Sequence, residues 1–230
     1  MNNYIVCGSK KYENINIDHI VDFFDNIVRH NFLLHNCGYG EKLSTYQVLN
    51  GHVYKIFYED NENVDFCSKK YLPYGIDENI IKNLKSFVDN KNVKFVTFKD
   101  NNDESLKKIT KINSRKKARC GLSALPFLIN KKIKPFLIGY TLIRDEYLDL
   151  SNHQVNKGRT APLNERMHSI DYDIQTIVKL HKMNLIDASF CCIKDIKIRQ
   201  NNDNENIIFK IDESVIKMTK KSKEILSKFM

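Results

Sequence analysis

The sequence has no tryptophan and only four prolines and eight glycines among its 230 residues. So little proline and glycine excludes a long flexible or proline-rich linker, and the length suits one domain with a full core. No stretch approaches the roughly 18 apolar residues of a membrane span. The N-terminus also lacks a basic region followed by a long apolar one. We therefore predict a single cytoplasmic domain over residues 1–230.

Several motifs that identify cofactors or catalytic groups are missing. The six cysteines form no C-x-x-C pair, and there is no G-x-G-x-x-G, G-K-[ST], H-E-x-x-H or G-x-S-x-G. Zinc sites, thioredoxin-like redox chemistry, dinucleotide and Walker-type sites and serine hydrolysis therefore lack support. We expect the cysteines to be reduced and mostly buried, and we predict neither a metal nor a tightly bound cofactor.

Acidic residues are too few to balance the lysines, which leaves a net charge of +9. An anionic partner (nucleic acid, a membrane surface or a phosphorylated substrate) would explain the excess, and so would a coding bias towards Lys, Asn and Ile. Basic stretches at 107–119 and 217–230 hold few of the aromatic residues that nucleic-acid binding uses. A basic nucleic-acid-binding protein is kept as the rival from another functional class.

The tail, 212–230, is predicted to be a basic helix. Its lysines alternate with apolar residues, which is typical of a helix lying on an anionic membrane. The same pattern fits a helix packed on the domain, and both interpretations stay open.

Short apolar runs alternate with helical patterns along the chain, which predicts an α/β fold with a mostly parallel sheet and helices on both faces. A buried helix over 121–130 should begin near Ser123, because Pro126 is tolerated only in a first turn. The long 143–167 stretch is expected to be a lid-like excursion. The predicted strands are 4–7, 26–30, 53–58, 93–98, 135–140 (expected to be central), 188–193 and 207–211.

His168 stands directly before a clear amphipathic helix. Ser169 is a natural N-cap, and Asp171 and Asp173 fall in the first turn. A histidine near a helix N-terminus can have its neutral form favoured, as a general base requires, although a surface histidine beside a cap fits equally. The two aspartates point about 200° apart on a helix, so we predict no metal there. His181 lies on the apolar face and is expected to be a satisfied core residue.

Four stretches, in this order, resemble the bacterial sialyltransferases that decorate lipooligosaccharide. They are 4-YIVCGSKK-11, 25-DNIVRHNFL-33, 118-ARCGLSALPFLINKKIKPFLIGY-140 and 168-HSIDYDIQTIVKLHK-182. The resemblance implies a glycosyltransferase-A-like variant of the Rossmann fold and metal-independent sugar transfer. The donor would be a CMP-sugar, most simply CMP-sialic acid, and the acceptor a glycan of lipooligosaccharide or capsule biosynthesis. A lipid-linked acceptor, peripheral contact with the inner membrane face through the tail, and a homo-oligomer are carried as further expectations, whereas nucleic acid is not expected as a partner.

The resemblance also assigns roles to individual residues. It makes His168 the general base and leaves Arg29 as a structural residue. The implied nucleotide contacts are Gly8, Ser9, Asn31, Cys120 and Gly121. The loop after position 139 departs from the family pattern, so the candidates for stabilising the departing phosphate are Tyr140, Tyr147 and Arg144. This departure keeps a second hypothesis open, a transferase of the same fold that uses another nucleotide sugar.

Overall fold

The structure is a computed structural model. It describes residues 3–8, 17–30, 40–42, 44–50, 70–74, 94–95, 102–118, 120–143, 169–201 and 204–230. The strand predicted at 53–58 and most of the predicted lid at 143–167 lie outside these residues. Five residues of the predicted site also lie outside them, namely Ser9, Asn31, Arg144, Tyr147 and His168.

Six parallel strands form one sheet in the order β5-β4-β3-β2-β1-β6. Their bounds are Tyr4–Cys7 (β1), Asn26–His30 (β2), Tyr46–Asn50 (β3), Lys70–Tyr74 (β4), Lys94–Phe95 (β5) and Phe136–Ile138 (β6). All four residues of β1 are buried, as expected for a strand covered on both faces. The predicted Rossmann-like α/β fold is confirmed.

Strand β6 corrects one expectation about the sheet. The apolar run at 135–140 predicts a central strand, but β6 lies at the edge, next to β1. Its outer side is covered because the Leu137 N–H donates to the Asp187 carbonyl, and the Asp187 N–H donates to that of Pro135, both at 2.8 Å. A covered edge selects apolar side chains as strongly as the middle of a sheet does.

Five α-helices are described in these parts of the chain. Their bounds are Asp18–Asp22 (α1), Asn102–Thr110 (α2), Ala124–Asn130 (α3), Ile170–Lys182 (α4) and Lys220–Leu226 (α5). Ser123 precedes α3, so Pro126 falls in the first turn as predicted. Ser169 caps α4, and its Oγ accepts a 3.3 Å hydrogen bond from the Tyr172 N–H, also as predicted.

The run at 188–193 is not the strand that its apolar residues suggest. Ser189–Cys192 forms a 3-10 turn. The turn begins because the Asp187 carboxylate accepts a 3.0 Å hydrogen bond from the Ser189 N–H, a side-chain contact that competes with strand pairing. The run is apolar on all sides since it is enclosed: the Cys191 thiol contacts the Leu137 carbonyl and the Cys192 thiol that of Ile216, both at 3.4 Å.

The tail is helical only over Lys220–Leu226, not over the whole of 212–230. The buried Asp187 carboxylate accepts hydrogen bonds from the hydroxyls of Thr219, at 2.6 Å, and Ser222, at 3.1 Å. The apolar side chains on which the membrane interpretation depended are mostly part of the core instead; those buried are Ile216, Met218, Ile225 and Leu226. The tail's apolar face therefore packs on the domain.

Between the 3-10 turn and the tail, an antiparallel hairpin forms a second, two-stranded sheet. Its strands are Ile193–Asn201 (β7) and Asn204–Ile211 (β8), so the strand predicted at 207–211 is present but longer. Among the described helices, none has the length and apolar character needed to cross a bilayer.

Candidate functional site

The carboxyl ends of three neighbouring strands meet beside a 3-10 turn, Cys120–Leu122. Strands β2 and β6 flank β1, so the chain leaves β1 on one side and returns to it on the other. Open α/β sheets bind ligands at this reversal of strand order, outside the carboxyl ends of the strands. Four residues there, called the strand-end cluster below, are Gly8, His30, Gly121 and Tyr140.

Gly8 follows β1 and packs against the turn that follows β6. Its N–H donates a 2.7 Å hydrogen bond to the Ile138 carbonyl. A Cβ atom on Gly8 would lie 2.2 Å from the Gly139 carbonyl oxygen and 2.9 Å from Cδ2 of Tyr140, which no side chain tolerates. Packing therefore requires glycine at this position, and contact between Gly8 and a nucleotide stays a prediction.

Tyr140 connects the end of β6 to the 3-10 turn. Its side chain is buried, and its hydroxyl donates a 2.7 Å hydrogen bond to the Gly121 carbonyl. Before it, Gly139 adopts a positive φ of 76°, which glycine reaches without strain. The Tyr140 proton is thus already engaged, so this hydroxyl can stabilise a departing phosphate only by exchanging partners.

His30, which sequence reasoning did not select, lies against the same turn. A Cβ atom on Gly121 would be 3.0 Å from Cε1 of His30, 3.3 Å from its Nδ1 and 3.1 Å from the Tyr140 hydroxyl oxygen. The imidazole is half-buried at the last position of β2. The only signal in the sequence was its position beside Asn31, at the end of a predicted strand.

Arg29 is structural, as expected. It is completely buried, and its guanidinium donates to the Gly40 and Lys42 carbonyls, both at 3.0 Å, and to the Ser44 hydroxyl at 2.8 Å. These acceptors lie in the segment that leads into β3. Asp22 on α1 holds the same segment by accepting from the Glu41 and Lys42 N–H groups, at 2.8 and 3.1 Å. Arg29 therefore anchors β3 beside β2.

The first turn of α4 separates its two aspartates as predicted. Asp171 is exposed, whereas Asp173 is buried. No group of three or more His, Cys, Asp or Glu side chains within the described ranges is arranged to hold a metal ion. The predicted independence from metal stays a prediction.

The N-terminal half of α4 packs on α2 through polar groups. Burial raises the pKa of the Tyr172 phenol and nearby Asp103 raises it further, while Lys107 acts in the opposite direction. Asp103 is itself buried, pairs with the Lys107 ammonium at 2.9 Å, and accepts a 2.8 Å hydrogen bond from the Ala118 N–H. These contacts hold the helix whose N-cap follows His168.

Two of the described buried thiols, those of Cys7 and Cys192, are poor nucleophiles. Burial raises the pKa of Cys7, the residue before Gly8, to about 12. Burial also raises the pKa of Cys192 to about 11, with Glu213 adding to the shift. Both therefore stay protonated near neutral pH, and the thiolate is the reactive form.

Of the predicted site residues, the structure brings together Gly8, Gly121 and Tyr140, with Cys120 in the same turn as Gly121. The other five predicted residues, which include the proposed base, lie outside the described ranges, so their roles in the site stay predictions.

No protein-family model matches the sequence, and no curated protein matches it either. Among solved structures, the fold is similar to that of the sialyltransferase CstII from Campylobacter jejuni in complex with a substrate analogue, CMP-3FNeuAc. The sequences are 15% identical and the TM-score is 0.51, over 99% of this chain and 100% of that chain. Likeness at this identity shows the fold alone, which is similar to that of this sialyltransferase.

Proposed function

We propose that this protein is a glycosyltransferase that moves a sugar from a nucleotide donor to a hydroxyl group of a glycan, with CMP-sialic acid as the first donor to test. The observation that carries the proposal is the similarity of fold, over almost the whole chain, to an enzyme whose structure holds a CMP-sugar analogue. The four stretches that resemble the family support the same assignment.

The strand-end cluster is the place proposed for the nucleotide. It lies at the reversal of strand order, where this class of sheet binds ligands. Backbone groups near Gly8 and Gly121 would contact the nucleotide, together with Ser9, Asn31 and Cys120. Because glycine has no side chain, a ligand can approach its backbone closely.

The proposed reaction forms a bond between the acceptor oxygen and the anomeric carbon, and breaks the bond between that carbon and the phosphate oxygen. His168 would take the proton of the acceptor hydroxyl, which is worth about 10²- to 10⁴-fold in rate. The helix dipole is positive at the N-terminus of α4, which would favour the neutral form of an imidazole placed beside it.

Negative charge develops on the nucleotide phosphate as it departs, and a site without a metal must stabilise it with hydrogen-bond donors or cations. Arg144, Tyr147 and Tyr140 are the proposed groups. We also propose that the 143–167 segment excludes water from the donor, since water would otherwise hydrolyse it.

A cytoplasmic enzyme acting on a lipid-linked glycan would gain from contact with the inner membrane face. Because the apolar face of the tail is packed on the domain, such contact would depend on exposed lysines such as Lys220, Lys221 and Lys223. A homo-oligomer stays part of the proposal.

The first experiment is a thermal-shift comparison of CMP, UMP and GMP, because a ligand that binds only the folded protein raises its stability. We expect CMP to give the largest shift. Selective stabilisation by UMP or GMP would favour the alternative of another nucleotide sugar, and no shift with any nucleotide would contradict the proposal. Product mass after incubation with CMP-sialic acid and a glycan acceptor then tests transfer.

A further inference from the structure

We propose that His30 contacts the nucleotide and helps to select it. The inference rests on the proposed function and adds a residue to the site that it describes. His30 is the last residue of β2, the strand next to β1, so it stands at the carboxyl edge where the reversal of strand order lies. The residue is half-buried, and its Nδ1 atom is buried.

The imidazole of His30 packs against the backbone of Gly121, which has no side chain in the way. Cε1 and Nδ1 of His30 occupy the space that a Cβ atom on Gly121 would need, at 3.0 and 3.3 Å. The Gly121 carbonyl is held in turn by the Tyr140 hydroxyl, at 2.7 Å. The ring therefore rests against a backbone surface that is itself anchored to β6.

The strand that carries His30 is fixed from its other face. Successive side chains of a strand point to opposite faces, so Arg29 and His30 lie on opposite sides of the sheet. Arg29 is completely buried and bonded to the segment before β3, which sets the orientation of β2. The backbone that carries His30 is thereby fixed before any ligand binds, and pre-organisation of this kind lowers the cost of binding.

The chemistry of imidazole suits a nucleoside phosphate. An imidazole nitrogen donates to or accepts from ribose hydroxyls and base amides, and a protonated imidazole pairs with phosphate. Because Nδ1 of His30 is buried against the 3-10 turn, Nε2 is the nitrogen that would contact the ligand. Glycine residues flank this imidazole on the neighbouring elements, so backbone groups of Gly8 and Gly121 and the side chain of His30 would present themselves to one ligand.

The test is calorimetric titration of the full chain with CMP. The variants are His30→Asn and, as a matched control, His19→Asn, because His19 is an exposed histidine of α1. We expect His30→Asn to bind CMP about tenfold more weakly, the effect of losing roughly one good hydrogen bond. His19→Asn should bind as the unmodified protein does. A second variant, His30→Gln, replaces the first if the melting temperature of His30→Asn shows that it does not fold.

A measurement on the unmodified protein accompanies the titrations. The imidazole resonance of His30 should shift when CMP is added, and that of His19 should not. Binding by the His30 variant within threefold of the unmodified protein, or an unmoved His30 resonance at saturating CMP, overturns the inference and leaves the proposed function standing. If the unmodified protein binds no nucleotide, the proposed function and the inference fail together.

Discussion

The hydroxyl of Tyr140 donates a 2.7 Å hydrogen bond to the backbone oxygen of Gly121, joining the turn after β6 to the 3-10 turn above the sheet. Both partners are buried. Two segments separated by β6 and α3 are therefore held by one contact, at the edge proposed to bind the nucleotide. Tyr140 was selected from the sequence for a different task, stabilisation of the departing phosphate.

The first prediction concerns this contact. Tyr140→Phe should lower the free energy of unfolding by about 1–3 kcal/mol, because it leaves a buried carbonyl without its donor. If this contact positions the part of the strand-end cluster that binds the nucleotide, KM for the donor should rise more than kcat falls. The control is Tyr4→Phe, at the opposite end of β1, which should change stability without changing KM. A fall in kcat at constant KM would instead assign the Tyr140 hydroxyl to the departing phosphate.

Two glycine substitutions should separate packing from ligand binding. Gly8→Ala places a Cβ atom 2.2 Å from a backbone oxygen that cannot move freely, so we expect a loss of about 3 kcal/mol in the free energy of unfolding. Gly121→Ala meets the His30 ring, a side chain that can yield, so its cost should be smaller. Denaturant unfolding measures both, and equal losses would contradict the packing described here.

Arg29 is expected to be the most sensitive polar residue described in the structure. Arg29→Met keeps much of the side-chain volume but leaves three acceptors without their donor, and should cost about 3 kcal/mol or more. Arg29→Lys should rescue little, because one ammonium cannot reproduce the planar guanidinium. Arg115→Met, at an exposed position, is the control and should change stability only slightly. Urea unfolding of the three variants decides the matter.

His181 should make stability depend on pH. Burial lowers the pKa of its imidazole, although nearby Asp187 partly opposes the shift. Its Nδ1 accepts a 3.2 Å hydrogen bond from the Ala188 N–H, which requires the unprotonated nitrogen. The unfolded chain, with a pKa near 6.5, then binds the proton more readily, so stability is complete above about pH 6.5 and falls as the pH drops towards the lower folded pKa.

The control for this pH dependence is His181→Gln. The variant should lose part of the decrease in unfolding free energy between pH 7 and 5, because the glutamine amide does not titrate. An identical pH profile in the two proteins would remove His181 as the cause.

The sequence predicted those parts of the fold that depend on local chemistry. Ser169 marks a helix start because its hydroxyl accepts from an N–H group of the first turn. Pro126 locates the start of α3 because proline is tolerated in a first turn. Neither prediction requires knowledge of the rest of the chain. Structure that depends on contacts with distant segments of the chain was harder to predict from the sequence. The run at 188–193 forms a turn because the Ser189 N–H donates a hydrogen bond to the Asp187 carboxylate. The tail carries apolar residues because they pack into the core.

In the candidate site, too, the sequence indicated some residues but not the distant contacts that they make. Gly8 and Gly121 were selected for ligand contact, yet each has a packing partner that only the fold supplies, Gly139 in one case and His30 in the other. His30 was overlooked because a single histidine in a strand carries no motif. Its importance comes from a glycine 91 positions away in the chain, which periodicity cannot reveal.

The decisive prediction for catalysis concerns His168 and its neighbour. His168→Ala should reduce transfer by at least about 10²-fold, since the acceptor hydroxyl loses its base, while CMP affinity stays nearly unchanged. Ser169→Ala removes the cap that accepts from the Tyr172 N–H, and should cost about 1 kcal/mol of stability. It should also lower kcat without abolishing it, because the base remains but its helix start is less well ordered. Product formation from CMP-sialic acid measures both effects. Full turnover by His168→Ala would remove the imidazole from the mechanism, whereas unchanged kcat in Ser169→Ala would limit the cap to a role in stability.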